Sequence, residues 1–210
     1  AEKGEVGEVM QAGGQLSIML RQATGVAKAP YVADFIRLLV ESGETVLCYL
    51  FHRECYDIVL SKLADLNPVM YTGSESNAEK VESRRKFMAG ETKVMLMSLR
   101  AGAGLDGLQK VCRTVVIGEL DWAPAVMDQC IGRVFRDGQG ESVTAYFLVA
   151  DDGADPLIAE KLGLKRQQAE GIRNPDAELL EEYQVDRGRA LELARYFLKK
   201  KGIVHADAET

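Results

Sequence analysis

Short, uniformly apolar runs that alternate with helix-like segments constrain this chain more than any other feature. TVLCYLF (Thr45 to Phe51), Val69–Tyr71, VMLMS (Val94 to Ser98), TVVIG (Thr114 to Gly118) and TAYFLV (Thr144 to Val149) are too short for ordinary helices. They also lack the in–out alternation of a strand with one wet face, so they read as strands covered on both sides, the condition of a parallel sheet. Between them lie segments with helical spacing. Val32, Phe35, Ile36, Leu39 and Val40 predict a helix from Ala29 to Glu41, with Pro30 suited to its first turn. Further helices are expected around Tyr56–Leu66, Ala78–Ala89 and Pro124 to about Phe135, the last stopping before Gly138. The fold class that follows is α/β, a parallel sheet sandwiched by helices.

The 210 residues suffice for one domain with a sizeable core and an appendage. A Gly- and Glu-rich lead-in, partly flexible, is expected over 1–28, and the α/β domain over 29–154. A helical extension follows over 155–203 (helices at 155–170 and about 176–200), then a flexible tail over 204–210. The extension opens on acid and closes on Lys199, Lys200 and Lys201, matching the helix dipole. No apolar stretch reaches the ~18 residues that span a bilayer, so a cytoplasmic protein without a membrane partner is expected. The chain opens on Ala1, and the motifs below suggest a piece of a longer protein.

Cys48, Cys55, Cys112 and Cys130 form no C-x-x-C pair and read as buried free thiols. A zinc site on Cys48, His52 and Cys55 is rejected because Cys48 lies within a strand, and no metal ligand set is assigned. The net charge of −6 argues against a generally basic binder, but its distribution is uneven. Arg84 to Gln139 holds nine cations against six anions, a net +3, while acid gathers in Asp176 to Asp186 and at the ends. Any grip on phosphates should be local.

In an open parallel sheet, ligands bind beyond the carboxyl ends of the strands. Here those ends carry Phe51-His52-Arg53, Thr72-Gly73-Ser74, Ser98-Leu99-Arg100 and Glu119-Leu120-Asp121-Trp122. Trp122 and His52 read as a packing anchor and a loop residue. The sharpest constellation is Gln129, Arg133 and Arg136, at i, i+4 and i+7 and hence on one face of the expected helix, with Gly132 beside them. Two guanidiniums on one face call for an anion opposite, and a triphosphate matches their forked donors; a solvated face paired to Asp128 and Asp137 is the bland alternative.

DWAPAVMDQCIGRVFRDGQ (Asp121 to Gln139) resembles motif VI of superfamily 2 helicases, and more closely the SWI/SNF-like ATPases. MSLRAGAGLDGLQ (Met97 to Gln109) resembles motif V and VLCYLFHREC motif IV. YTGSESNAEKVESRRKFMAGE (Tyr71 to Glu91) resembles the stretch where a turn precedes a helix ending in F-x-x-G. The resemblance implies the C-terminal RecA-like half of an ATP-dependent translocase or helicase, acting on nucleic acid and in that family usually on double-stranded DNA. It implies arginine fingers at Arg133 and Arg136, and nucleotide contacts at Gly104, Asp106 and Gln129. Thr72, Gly73, Ser98 and Arg100 would touch the nucleic-acid backbone. ATP with Mg would be held mainly by an N-terminal RecA-like partner domain. Two departures stand out: Trp122-Ala123-Pro124 where W-N-P is common, and Gly104-Leu105-Asp106 where G-L-N is usual.

The sequence holds no G-x-x-x-x-G-K-[ST] loop and no D-E-x-H or D-E-x-D box, so this chain alone is not expected to hydrolyse ATP. One rival reading is a Rossmann dinucleotide fingerprint at Gly102 to Gly107. It fails because Leu108 to Arg113 leaves no room for the helix that must follow. The other is a non-catalytic RecA-like docking or nucleic-acid-binding module, which the coherent Gln129/Arg133/Arg136 set disfavours.

Overall fold

The computed structural model describes residues 2–100 and 105–163, with side chains from residue 14 onward. Two compact units are present, one formed by 25–148 and the other, among the described residues, by 2–24 with 149–163. The first carries a five-stranded sheet of β1 (Val46–Leu50), β2 (Val69–Tyr71), β3 (Val94–Ser98), β4 (Thr114–Ile117) and β5 (Thr144–Phe147). Its order is β2-β3-β1-β4-β5 and every pairing is parallel, with Val46 level with Val94 on one side and Thr114 on the other. All five residues of the central β1 are buried, as its apolar run requires.

Strand alternation divides the core into two layers. Val46, Cys48 and Leu50 share a cluster with Ala29, Val32, Ala33, Ile36 and Leu39 of α1 (Glu2–Glu41). Cys55, Tyr56 and Val59 of α2 (Arg53–Lys62) join the same cluster. The intervening Leu47 and Tyr49 are buried too, as are Met95, Met97, Val115, Ile117, and Phe87 of α3 (Asn77–Met88). α3 is otherwise mostly polar and is started by a capping box: Ser76 Oγ accepts from the Glu79 amide, and Glu79 accepts from the Ser76 amide at 2.8 Å.

The helix expected to open at Ala29 extends N-terminally to Glu2, with Pro30 in its interior instead of its first turn. Proline lacks the N–H that would reach the Val26 carbonyl, a loss the long helix absorbs. Buried Ser17, Thr24, Gly25, Lys28 and Ala29 continue the inward stripe upstream of Val32, but they are small or polar. Lys28 is accommodated because its ammonium donates to the Leu148 carbonyl at 2.7 Å. Near Gly107 there is only a single 3-10 turn, Leu108–Lys110, before β4, so the spacing argument against a dinucleotide fingerprint holds.

In the other unit, α5 (Asp155–Lys161) buries Leu157, Ile158 and Ala159. Thr24 Oγ1 accepts from the Ala154 amide at 2.9 Å. Gly153 adopts φ +79°, and a Cβ there would fall 2.2 Å from that hydroxyl. The helix expected at 155–170 ends earlier, at Lys161, because Leu162 and Gly163 form a turn in which Gly163 takes φ +65°. Residues beyond 163, with the helix expected at about 176–200 and the Lys199–Lys201 cluster, lie outside the described residues. No helix among the described residues is long and apolar enough to cross a membrane.

Candidate nucleotide and nucleic-acid interface

The carboxyl edge of the sheet is organised by one buried carboxylate. β4 is followed by Gly118, whose amide donates to the Tyr49 carbonyl at 2.9 Å, and the chain then turns Glu119 inward, 4% exposed. Glu119 Oε2 accepts from the amides of Phe51 (2.7 Å) and His52 (2.9 Å), and Oε1 lies 2.5 Å from His52 Nδ1. Burial alone would raise the pKa of this group, but the His52 ring and the two amides outweigh it and hold the carboxyl below its ordinary value. Glu119 thereby ties the end of β4 to the start of α2 and fixes where Phe51 and Arg53 stand.

The Cys55 thiol lies close by, and burial followed by the charge of Glu119 pushes its pKa up. His52, Cys55 and Glu119 bring three ligand-type atoms within 4.8 Å of one another. Both carboxylate oxygens are already engaged by the amides and the ring, so the group is a joint between strand and helix. Cys48 stays within β1 and is buried, as expected.

Beside this joint, Tyr56 Oη donates to the carbonyls of Leu50 (2.7 Å) and Met97 (3.1 Å), clamping the ends of β1 and β3 together. Above the clamp lies a cleft of about 130 Å³ whose lining includes Phe51, Arg53, Thr72, Gly73, Ser74 and Ser98. Thus Thr72, Gly73 and Ser98, singled out separately in the sequence, share one cleft. Arg100 stands at its rim, its guanidinium 5.6 Å above the Phe51 ring and 3.5 Å from Asp121 Oδ2. Arg53, placed at a strand end in the sequence but given no role there, joins the cleft, and its Nη1 lies 3.4 Å from Ser74 Oγ. The turn amides are not all open: the Thr72 amide and hydroxyl both donate to Glu75.

A larger cavity, about 240 Å³, opens at the amino edge between Glu44, Lys110, Arg113 and Glu141. Its one guanidinium, Arg113, is already paired to Glu44 and Glu141, so it offers an anion little.

The arginine constellation differs from the helical face expected. α4 (Pro124–Ile131) starts with Pro124 in its first turn and ends at Ile131, not near Phe135. Gly132, a poor helix former, closes it, and the amides of Val134 and Phe135 both turn back to the Ile131 carbonyl. Arg133 and Arg136 therefore sit in successive turns, so α-helical spacing no longer assigns them to one face with Gln129. Gln129 is exposed, and Arg133 is half-buried, its charge felt at the buried Tyr49 hydroxyl and Cys130 thiol. Arg136 is ion-paired to Asp106, and Arg84 donates to the Asp106 carbonyl at 2.9 Å. Gln109 bonds the Asp137 carbonyl (3.2 Å) and Gln139 the Cys112 carbonyl (3.0 Å), lacing the two loops together. Gly104 lies outside the described residues.

A five-stranded, all-parallel sheet with helices and a polar carboxyl edge defines a RecA-like domain. Residues 27–138 match the helicase conserved C-terminal domain, and the chain belongs to that family. It is 33% identical over 152 residues to the SWI/SNF-related matrix-associated actin-dependent regulator of chromatin subfamily A-like protein 1 of Bos taurus, covering 69% of this chain and 16% of that one. It is 27% identical over 181 residues to the DNA annealing helicase and endonuclease ZRANB3 of the same organism, covering 83% and 16%. The chain thus spans about 16% of the length of these curated relatives. Among solved structures, the C-terminal part of the Fun30 ATPase domain superposes with a TM-score of 0.63 at 17% identity, over 83% of this chain and 54% of that one. The DEAD-box protein SrmB of E. coli gives 0.55 at 20%, over 65% and 78%, and both share the fold.

Proposed function

We propose that this chain is the C-terminal RecA-like half of an ATP-dependent translocase or helicase acting on double-stranded DNA. The observation that carries the reading is the Asp106–Arg136 pair, which keeps an anion-binding guanidinium at the junction of the two laced loops. In this reading ATP with Mg is held mainly by an N-terminal RecA-like domain. Domain closure brings Arg133 and Arg136 to the γ-phosphoryl group, where such fingers contribute ~10³–10⁵ in rate. Gly104, Asp106 and Gln129 lie along the nucleotide cleft, and Arg136 exchanges Asp106 for phosphate as it forms. The residues present suit this division of labour: they supply guanidiniums for a triphosphate, whereas a Walker-type lysine and a magnesium box are absent from the sequence.

Thr72, Gly73, Ser98 and Arg100 hold the DNA backbone, an arrangement that positions the protein without reading sequence. The division into a lead-in over 1–28, a RecA-like domain over 29–154, an extension over 155–203 and a tail over 204–210 is part of the same proposal, as is a cytoplasmic location. The test is ATP turnover by the 210-residue chain alone, and then with an N-terminal RecA-like half supplied in trans, with and without duplex DNA. Turnover that needs both halves and rises with duplex is expected. Turnover by the chain alone would refute the reading.

A further inference from the structure

We propose that Glu75 is an internal stand-in for a backbone phosphate, holding the donors of the Thr72 turn until nucleic acid displaces it. The inference rests on reading the cleft as the nucleic-acid face and adds a threshold to it. The two carboxylate oxygens of Glu75 accept from the Thr72 amide and, at 3.0 Å, from the Thr72 hydroxyl. An amide and a hydroxyl bridged by two anionic oxygens is the geometry in which a phosphodiester would present its two non-bridging oxygens. Thr72 is 7% exposed, so its donors must be satisfied within the protein, and the neighbouring carboxylate does it.

The surroundings favour exchange over permanent attachment. α3 is capped by Ser76 and Glu79, so the helix start does not depend on Glu75. Among the described residues no cation pairs with Glu75, so its charge is countered by hydrogen bonds alone. A Cβ built on exposed Gly73 meets nothing within 4 Å, which leaves room for a sugar–phosphate chain to approach. Arg53 and Ser74 stand on the same lip, ready to share an incoming phosphate. While Glu75 is in place, an approaching phosphate meets a like charge and occupied donors; once Glu75 swings out, both obstacles are gone.

The experiment is fluorescence anisotropy of the 210-residue chain with a labelled DNA duplex over a salt series. Wild type, Glu75→Ala, Glu75→Gln, Thr72→Val and the Thr72→Val/Glu75→Ala double variant are compared, each first shown by thermal melting to be folded. Both Glu75 variants should bind about tenfold more tightly, the size of one charge-assisted contact. The salt slope of the alanine variant should steepen by about 0.9, one added phosphate. In the Thr72→Val background the gain should shrink, because the freed hydroxyl is what the phosphate uses. An equal gain in both backgrounds would mean simple removal of a charge and would overturn the proposal. No gain in the folded variants, or loss of the fold in both, would overturn it as well. Absence of duplex binding by every protein, even at low salt, would instead sink the nucleic-acid reading and this inference with it.

Discussion

Replacing Glu119 by glutamine tests the joint on which the whole carboxyl edge is built. The wild-type carboxylate accepts from the Phe51 amide, the His52 amide and the His52 ring. A hydrogen bond to a charged group contributes ~1.5–3 kcal/mol. Glutamine keeps one oxygen for the two amides but loses the charge and points an amide nitrogen at the ring or away from it. The expected cost is about 2–4 kcal/mol, roughly one to two of these bonds in a buried setting. For a chain of this size that lowers Tm by about 4–16 °C. The pH dependence follows from the lowered pKa of Glu119. A carboxyl depressed in the folded state adds stability that is complete above its unfolded value, near 4.5, and is lost as pH falls through the folded one. Melts followed by circular dichroism should therefore show a full gap between wild type and variant at pH 7, closing as the pH drops below 4.5. A gap absent at pH 7, or one constant into acid, would refute the reasoning.

Two further outcomes are expected. Gly118→Ala places a methyl 2.6 Å from Leu50 Cδ2 and 3.3 Å from the Tyr49 carbonyl oxygen. It should cost ~1–3 kcal/mol, seen as a lower denaturant midpoint at unchanged slope, and an unmoved midpoint would contradict the packing described. Asp106→Asn removes the carboxylate that competes for Arg136 in an exposed pair worth up to ~1 kcal/mol, so KM for ATP in the two-half assay should fall about two- to fivefold. A KM that rises would mean that Asp106 assists the nucleotide contact.

How far the sequence carried the reading varied with the residue. The strands were legible because VLCYL and VMLMS are buried on both faces, a pattern that composition alone writes out. The first part of α1 was not, since its inward stripe is Ser17, Thr24, Gly25 and Lys28, which no hydrophobic periodicity marks. The end of α4 was placed one turn late because Val134 is apolar and fully buried, and so counts as helical by spacing although it sits in a turn. Asp106 was visible as a departure, but its pairing with Arg136 joins positions thirty residues apart and needs the folded loops. Glu75 carried no signal: a carboxylate three residues past a threonine is ordinary until the turn brings it back onto the Thr72 amide. The role of Glu119 was hidden similarly, because the amides it binds belong to the distant turn between β1 and α2.

The account depends most on the two guanidiniums that follow α4. Duplex-stimulated ATP turnover should be measured with the N-terminal half in trans for Arg133→Ala, Arg136→Ala and, as a control, Arg37→Ala, whose exposed guanidinium pairs with Asp65. The first two should lose ~10³-fold or more in kcat while still binding duplex, and the control should match wild type. Turnover by Arg136→Ala equal to that of the control would contradict the account.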